Sequence, residues 1–131
     1  MIRTRVILAV AMAAGLCTGA QAQSAAIIGK SAVLRGLDKV TGQTTDFTAP
    51  IGKTVKFNTL EVTARACQKA APEEPPATWV YLTIAETPAA KKGADAAAKA
   101  ELMKGWMLAQ SPALSALEHP VYDVWAIDCK A

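Results

Sequence analysis

An all-β domain, a small β-sandwich or barrel-like fold of about six or seven strands with one short helix before the last strand, is the architecture this sequence predicts. Three observations predict it. Short segments rich in β-branched residues recur along the chain, turn residues such as Gly42, Pro50, Gly52 and Pro88 separate them, and the one strong helix start, Ser111-Pro112, stands near the C-terminus.

The elements follow from the N-terminus. Met1-Ile2-Arg3-Thr4-Arg5 carries two positive charges and no acid, and an unbroken apolar run from Val6 to Cys17 comes next. This is the charged start and short apolar stretch of a secretory signal peptide, and Ala20 and Ala22 offer the A-x-A arrangement for cleavage after Ala22. A retained anchor is disfavoured, because a bilayer core takes about 20 apolar residues and this run is far shorter. Lipidation at Cys17 is disfavoured too, since bulky Leu16 stands where a lipoprotein site wants a small residue. Residues 1–22 are read as a cleaved signal, 23–30 as a flexible leader and 31–131 as a single β-rich domain of the periplasm, with no membrane span in the mature chain.

Ala32 to Asp38 is the first predicted strand, and Val40 to Gln43 a turn into a second over Thr44–Thr48. Lys53 to Phe57 alternates polar and apolar, and Leu60 to Cys67 resumes the alternation after Asn58-Thr59, so the two runs predict a hairpin. Strict alternation puts Leu60, Val62, Ala64 and Ala66 on one face and Cys67 on the other. Pro72, Pro75 and Pro76 predict an exposed loop. Trp79 to Ile84, apolar on both faces, predicts a central strand. Ala89 to Leu102, rich in Ala and Lys, fits a short helix or a solvated loop equally. Met103 to Ala109 predicts a further strand centred on Trp106. Ser111 as N-cap and Pro112 at the first helical position predict about two helical turns over Ala113–Glu118, ended by Pro120. Val121 to Cys129 predicts the last strand, with Val121, Trp125, Ile127 and Cys129 on one side. Three tryptophans are expected to supply much of the buried area, the alternative being an aromatic patch with Tyr81 or Tyr122 of the kind enriched at interfaces.

Cleavage also removes Arg3 and Arg5, so 14 basic against 11 acidic residues becomes 12 against 11 and the net charge falls from +3 to +1. A nearly neutral domain gives net charge no part in a nucleic-acid reading. Cys17 leaves with the signal, and the two cysteines that remain, Cys67 and Cys129, most simply form a disulfide in an oxidising compartment. Two buried free thiols and a redox pair are the alternatives. A dithiol catalyst usually keeps its cysteines close in sequence, and these are far apart.

No chemistry-bearing constellation stands out. His119 lies in sequence near Ser111, Ser115, Glu118, Asp123 and Asp128, but no G-x-S-x-G nucleophile elbow is present. One histidine and two distant cysteines give no zinc spacing, and Glu73-Glu74 sits in a proline-rich loop where neighbouring side chains diverge. Catalytic residues, metal and cofactor are therefore read as none. The surface most suited to recognition is the proline-bounded segment with Ser111, Pro112, Leu114, Glu118, His119 and Pro120, a rigid projection that would meet an unidentified protein of the cell envelope. The competing reading is a small secreted hydrolase, or an inhibitor of one, using the same segment. A hydrolase would bury His119 in a cleft against Ser and Asp, and an inhibitor would expose the segment as a projecting loop.

Gly105-Trp106-Met107, then Ser111 to Trp125 with its Pro112, His119-Pro120 and Tyr122-Asp123, and finally Cys129 resemble an uncharacterised family of exported alphaproteobacterial proteins, domain of unknown function 2155. Leu37 to Gly42 and the hairpin ending in Cys67 are similar to it as well. The resemblance implies that both cysteines belong to the shared domain. It brings no established activity and no catalytic or ligand residues to carry over.

Overall fold

The computed structural model describes residues 24–87 and 99–131. The assigned signal at 1–22 and most of the Ala/Lys stretch lie outside the described residues. Among those described, eight strands run in the order β1 (Ile27–Ile28), β2 (Ser31–Asp38), β3 (Gln43–Pro50), β4 (Thr54–Phe57), β5 (Leu60–Lys69), β6 (Thr78–Glu86), β7 (Ala100–Leu108) and β8 (Tyr122–Lys130). They pair antiparallel in two sheets, one with β5, β6 and β7 in that order and both β1 and β4 on β5, the other in the order β3-β2-β8. The sheets face each other as the predicted sandwich. No helix among the described residues is long and apolar enough to cross a membrane.

The predicted hairpin is β4 and β5, with Phe57 opposite Leu60. Asn58 takes φ 53°, the left-handed conformation that Asn tolerates better than most residues and a two-residue hairpin turn demands. β6 is central, as its double-sided apolarity predicts, between β5 and β7. Its inward residues Val80, Leu82 and Ile84 meet Leu60, Val62 and Ala64 of β5, and Leu34, Val124 and Ala126 close the core from the other sheet. Gly36 faces inward on β2 because the Phe57 ring lies directly on its Cα, where any side chain would overlap the ring. From there a row of rings runs to the edge of the sandwich: Phe47 stacks on Phe57 at 5.5 Å, and Phe57 meets Tyr122 edge-on at 5.7 Å.

Several sequence expectations change. Cys67 points into the core rather than away from it, because a bulge between Ala64 and Ala66 inserts one extra residue and resets the alternation. A register shift against β2 does the same in β8, so the inward set is Val124, Ala126 and Cys129, with Trp125 on the other face. Ala100 to Leu102 belongs to β7, neither to a helix nor to a loop. The predicted two-turn helix is one 3-10 turn, Pro112–Leu114, and the Ser111 side chain makes no capping bond. Pro112 leaves too few helical residues before the chain must turn inward to bury Leu117, which is 3 % exposed. The tryptophans stay out of the core, where Leu, Val, Ile, Ala, Met and Phe suffice, and Trp106 is 46 % exposed. Within the residues assigned to a leader, Ile27–Ile28 pairs with Gln68 and Lys69.

The bulge allows the crosslink. Cys67 on β5 and Cys129 on β8 are joined across the two sheets with Cα atoms 5.8 Å apart, a separation that a disulfide spans.

Candidate functional site

The chain between β7 and β8 wraps around the side of the sandwich, anchored by Leu117. It lines an open, mostly apolar groove of about 630 Å³. Pro112, Ala116 and Pro120 form one wall, and Lys39, Asp123 and Trp125 the other. Lys39 bridges the walls at the rim: its Nζ donates to the His119 carbonyl at 2.8 Å and pairs with Asp123 at 2.8 Å. The volume lies in the range of ligand sites, and an apolar floor with a few charges at its rim suits the side chains of another protein.

His119 holds the wrap in place. Its Nδ1 accepts hydrogen bonds from the backbone N–H groups of both Val121 and Tyr122 at 3.1 Å. Two donors converging on Nδ1 require a lone pair there, so the ring proton sits on Nε2, which donates to Glu86 Oε2 at 3.1 Å. Thr59 Oγ1 donates to the other carboxylate oxygen of Glu86 at 2.7 Å, and Tyr122 stacks on the imidazole at 5.3 Å. His119, 9 % exposed, thus ties the end of β6, the wrap and the start of β8, and Glu86 extends the tie to the β4–β5 turn.

That network carries a pH prediction. The Thr59 hydroxyl, and after it the His119 ring, holds the Glu86 carboxyl below the usual glutamate range. A carboxylate lowered in the folded state contributes stability that is complete above its unfolded value of about 4.3 and is lost as pH falls through the folded value. Thr59→Ala is therefore expected to melt below the wild type at pH 7, with the gap narrowing as pH falls below the unfolded glutamate value of about 4.3. Thermal melts across that range read it directly, and a gap independent of pH would mean that the Thr59 bond does not act on the charged carboxylate.

Of the residues singled out from sequence, Pro112, Glu118, His119 and Pro120 line the groove. Ser111 and Leu114 do not. Leu114 projects outward at 81 % exposure on the tip of the 3-10 turn. Ser111 and Ser115 make no bond to His119, whose nitrogens are committed to Glu86 and two backbone amides, so no Ser-His-Asp arrangement is assembled around the ring. No group of three or more His, Cys, Asp or Glu among the described residues is placed to hold a metal ion.

Sequence reasoning missed Lys39, Glu86 and Trp125. Lys39 and Glu86 reach the site from turns and strand ends far away in the chain. Trp125 carried a usable signal, an aromatic next to Asp123 beside the proline-bounded segment, but the unbroken alternation assigned it to the wrong face.

No curated protein and no solved structure matches the chain. The family model described as an uncharacterised protein conserved in bacteria, domain of unknown function 2155, spans residues 32–129, from the first long strand to the second half of the disulfide. The chain belongs to that family.

Proposed function

We propose that this is an exported, periplasmic domain without catalysis of its own, which binds a protein partner in the assembly or upkeep of the cell envelope, and that the groove beneath the 112–120 wrap is where the partner sits. The observation that carries this reading is the groove itself: an apolar recess held open by a histidine whose two nitrogens are both used for structure. A histidine so committed has no free lone pair with which to act as a general base. The signal-like residues 1–22 and a disulfide of the kind that persists in oxidising compartments support the location.

A photo-crosslinking side chain at Ala116, inside the groove, is expected to give one discrete adduct in intact cells, whereas the same group at Thr45, on exposed β3, gives none. Trp125→Ala should abolish the adduct. The projection of Leu114 favours a second reading, an inhibitor that inserts this residue into an enzyme, and the same experiment separates the two. An adduct from position 114 that survives Trp125→Ala would replace the groove reading with the inhibitor one, and no adduct from either position would refute both.

A further inference from the structure

The outer face of the β5-β6-β7 sheet is built in two halves. Register places Gln68, Trp79 and Leu108 in one row and Ala66, Tyr81 and Trp106 in the next, followed by Thr83 beside Lys104. Trp106 meets Tyr81 edge-on at 5.3 Å, and Trp79, Trp106, Gln68 and Ala26 enclose a hollow of about 400 Å³. None of the three rings is needed by the core, which lies on the other side of the sheet. Large aromatics held on a water-facing sheet are a recognition surface rather than packing.

The polar groups around the rings indicate what is recognised. Gln68 offers an amide that both donates and accepts, the chemistry of hydroxyl recognition. Arg65, the exposed extra residue of the β5 bulge, adjoins Ala66, and Lys104 lies two residues before Trp106 on the same face. Neither cation has an ion-pair partner among the described residues. The carboxylates of this face, Glu61 and Glu101, lie beyond Thr83 at its far end, and Glu61 is held by Lys99 at 2.6 Å. We propose that the aromatic half of this face binds an anionic polysaccharide. Pyranose rings lay their C–H faces on Trp79 and Trp106, the Gln68 amide takes hydroxyls, and Arg65 and Lys104 meet the carboxylates or phosphates carried by the sugars. A neutral glycan would leave the two cations idle. A nucleic-acid strand would also stack, but it presents one phosphate per nucleotide and draws its affinity from many cations, more than these two and a mature net charge of +1 supply.

This site is independent of the groove, so either can fail alone. The test is electrophoresis of the mature protein through native gels containing alginate, a polyuronate, or dextran, a neutral glucan, with mobility referred to a polymer-free gel. Alginate is expected to retard the protein and dextran not. Trp106→Ala and Trp79→Ala should each weaken retardation by about tenfold or more, in line with the loss of one stacked ring. Arg65→Gln with Lys104→Gln should weaken it severalfold, while Lys53→Gln with Lys130→Gln, which removes the same charge elsewhere, and Trp125→Ala should not. Circular dichroism confirms that each variant is folded. No retardation by alginate, equal retardation by dextran, full retardation of Trp106→Ala, or tighter binding of oligothymidylate than of alginate would overturn the proposal.

Discussion

Replacing Cys67 and Cys129 together by alanine is expected to lower the unfolding free energy by roughly 4 kcal/mol, the chain-entropy value for a loop of this length. The bridge closes 62 residues, and that loop contains β6 and β7 and the wrap. It also crosslinks the two sheets side chain to side chain, with Cys67 wholly buried and Cys129 2 % exposed. Alanine is chosen because serine would bury a hydroxyl at each position, and an unpaired buried hydroxyl has its own cost. In a small domain, whose total stability is typically about 5–15 kcal/mol, a loss of this size leaves a substantial unfolded fraction at 37 °C. Urea titration of the oxidised protein, the reduced protein and the double variant measures it. The reduced protein should fall near the variant, and a difference below about 1 kcal/mol would show that the crosslink does not restrict the unfolded chain as the loop length requires.

The second large effect is expected at His119, where two substitutions separate its roles. His119→Ala removes the acceptor for the Val121 and Tyr122 N–H groups, the donor to Glu86 and the ring stacked on Tyr122. Partly buried groups left without partners, together with the lost stack, amount to about 2–3 kcal/mol. His119→Asn keeps part of this, because an asparagine Oδ1 stands the same number of bonds from the backbone as histidine Nδ1 and can accept the same two N–H bonds, but it cannot reach Glu86. Asparagine is expected to restore about half of the loss. Only the alanine variant should free the wrap, which amide hydrogen exchange at Val121 and Tyr122 would reveal. If both variants exchange alike, the two backbone bonds do not hold the wrap.

The fold was legible in the sequence wherever one strand could be read by itself. The β4–β5 hairpin, the central position of β6 and the proline-rich loop after Lys69 follow from alternation, from apolarity on both faces and from backbone restrictions that need no partner. Faces were misread where an extra residue interrupts a strand. A bulge is defined by the register of two paired strands, and neither Arg65 nor Ile127 carries a composition mark that would announce one. The short helix failed for a related reason. Ser111-Pro112 is a valid local start, but the burial of Leu117 in the shared core decided the path, and that burial depends on strands of both sheets that the local start does not encode.

The site was legible only in part. The Pro112–Pro120 segment stood out because prolines and a lone histidine are visible in one dimension. Its opposite wall was not, because Lys39 and Asp123 meet only after β2 and β8 pair, with Leu37 opposite Asp123. The aromatic face was legible only as the lesser alternative to core packing, since Trp79 and Trp106 are 27 residues apart and become neighbours only through the β6–β7 register.

Gly29 gives the disulfide a further property. Its Cα rests against both sulfurs, so that any side chain there would overlap them, and its N–H donates to the Cys67 carbonyl at 2.9 Å. A thiolate attacks one sulfur in line with the bond, and with Cys67 wholly buried and Cys129 2 % exposed that attack needs a local opening. What holds this cover down is short: Ile27 and Ile28 pair with Lys69 and Gln68, and Lys30 donates to the Lys130 carbonyl at 2.7 Å. Peeling of this two-residue ladder, a local opening far cheaper than unfolding the domain, is expected to set the rate of exchange with a small reductant. The lifetime of the bond in a reducing medium is a clock for that peeling.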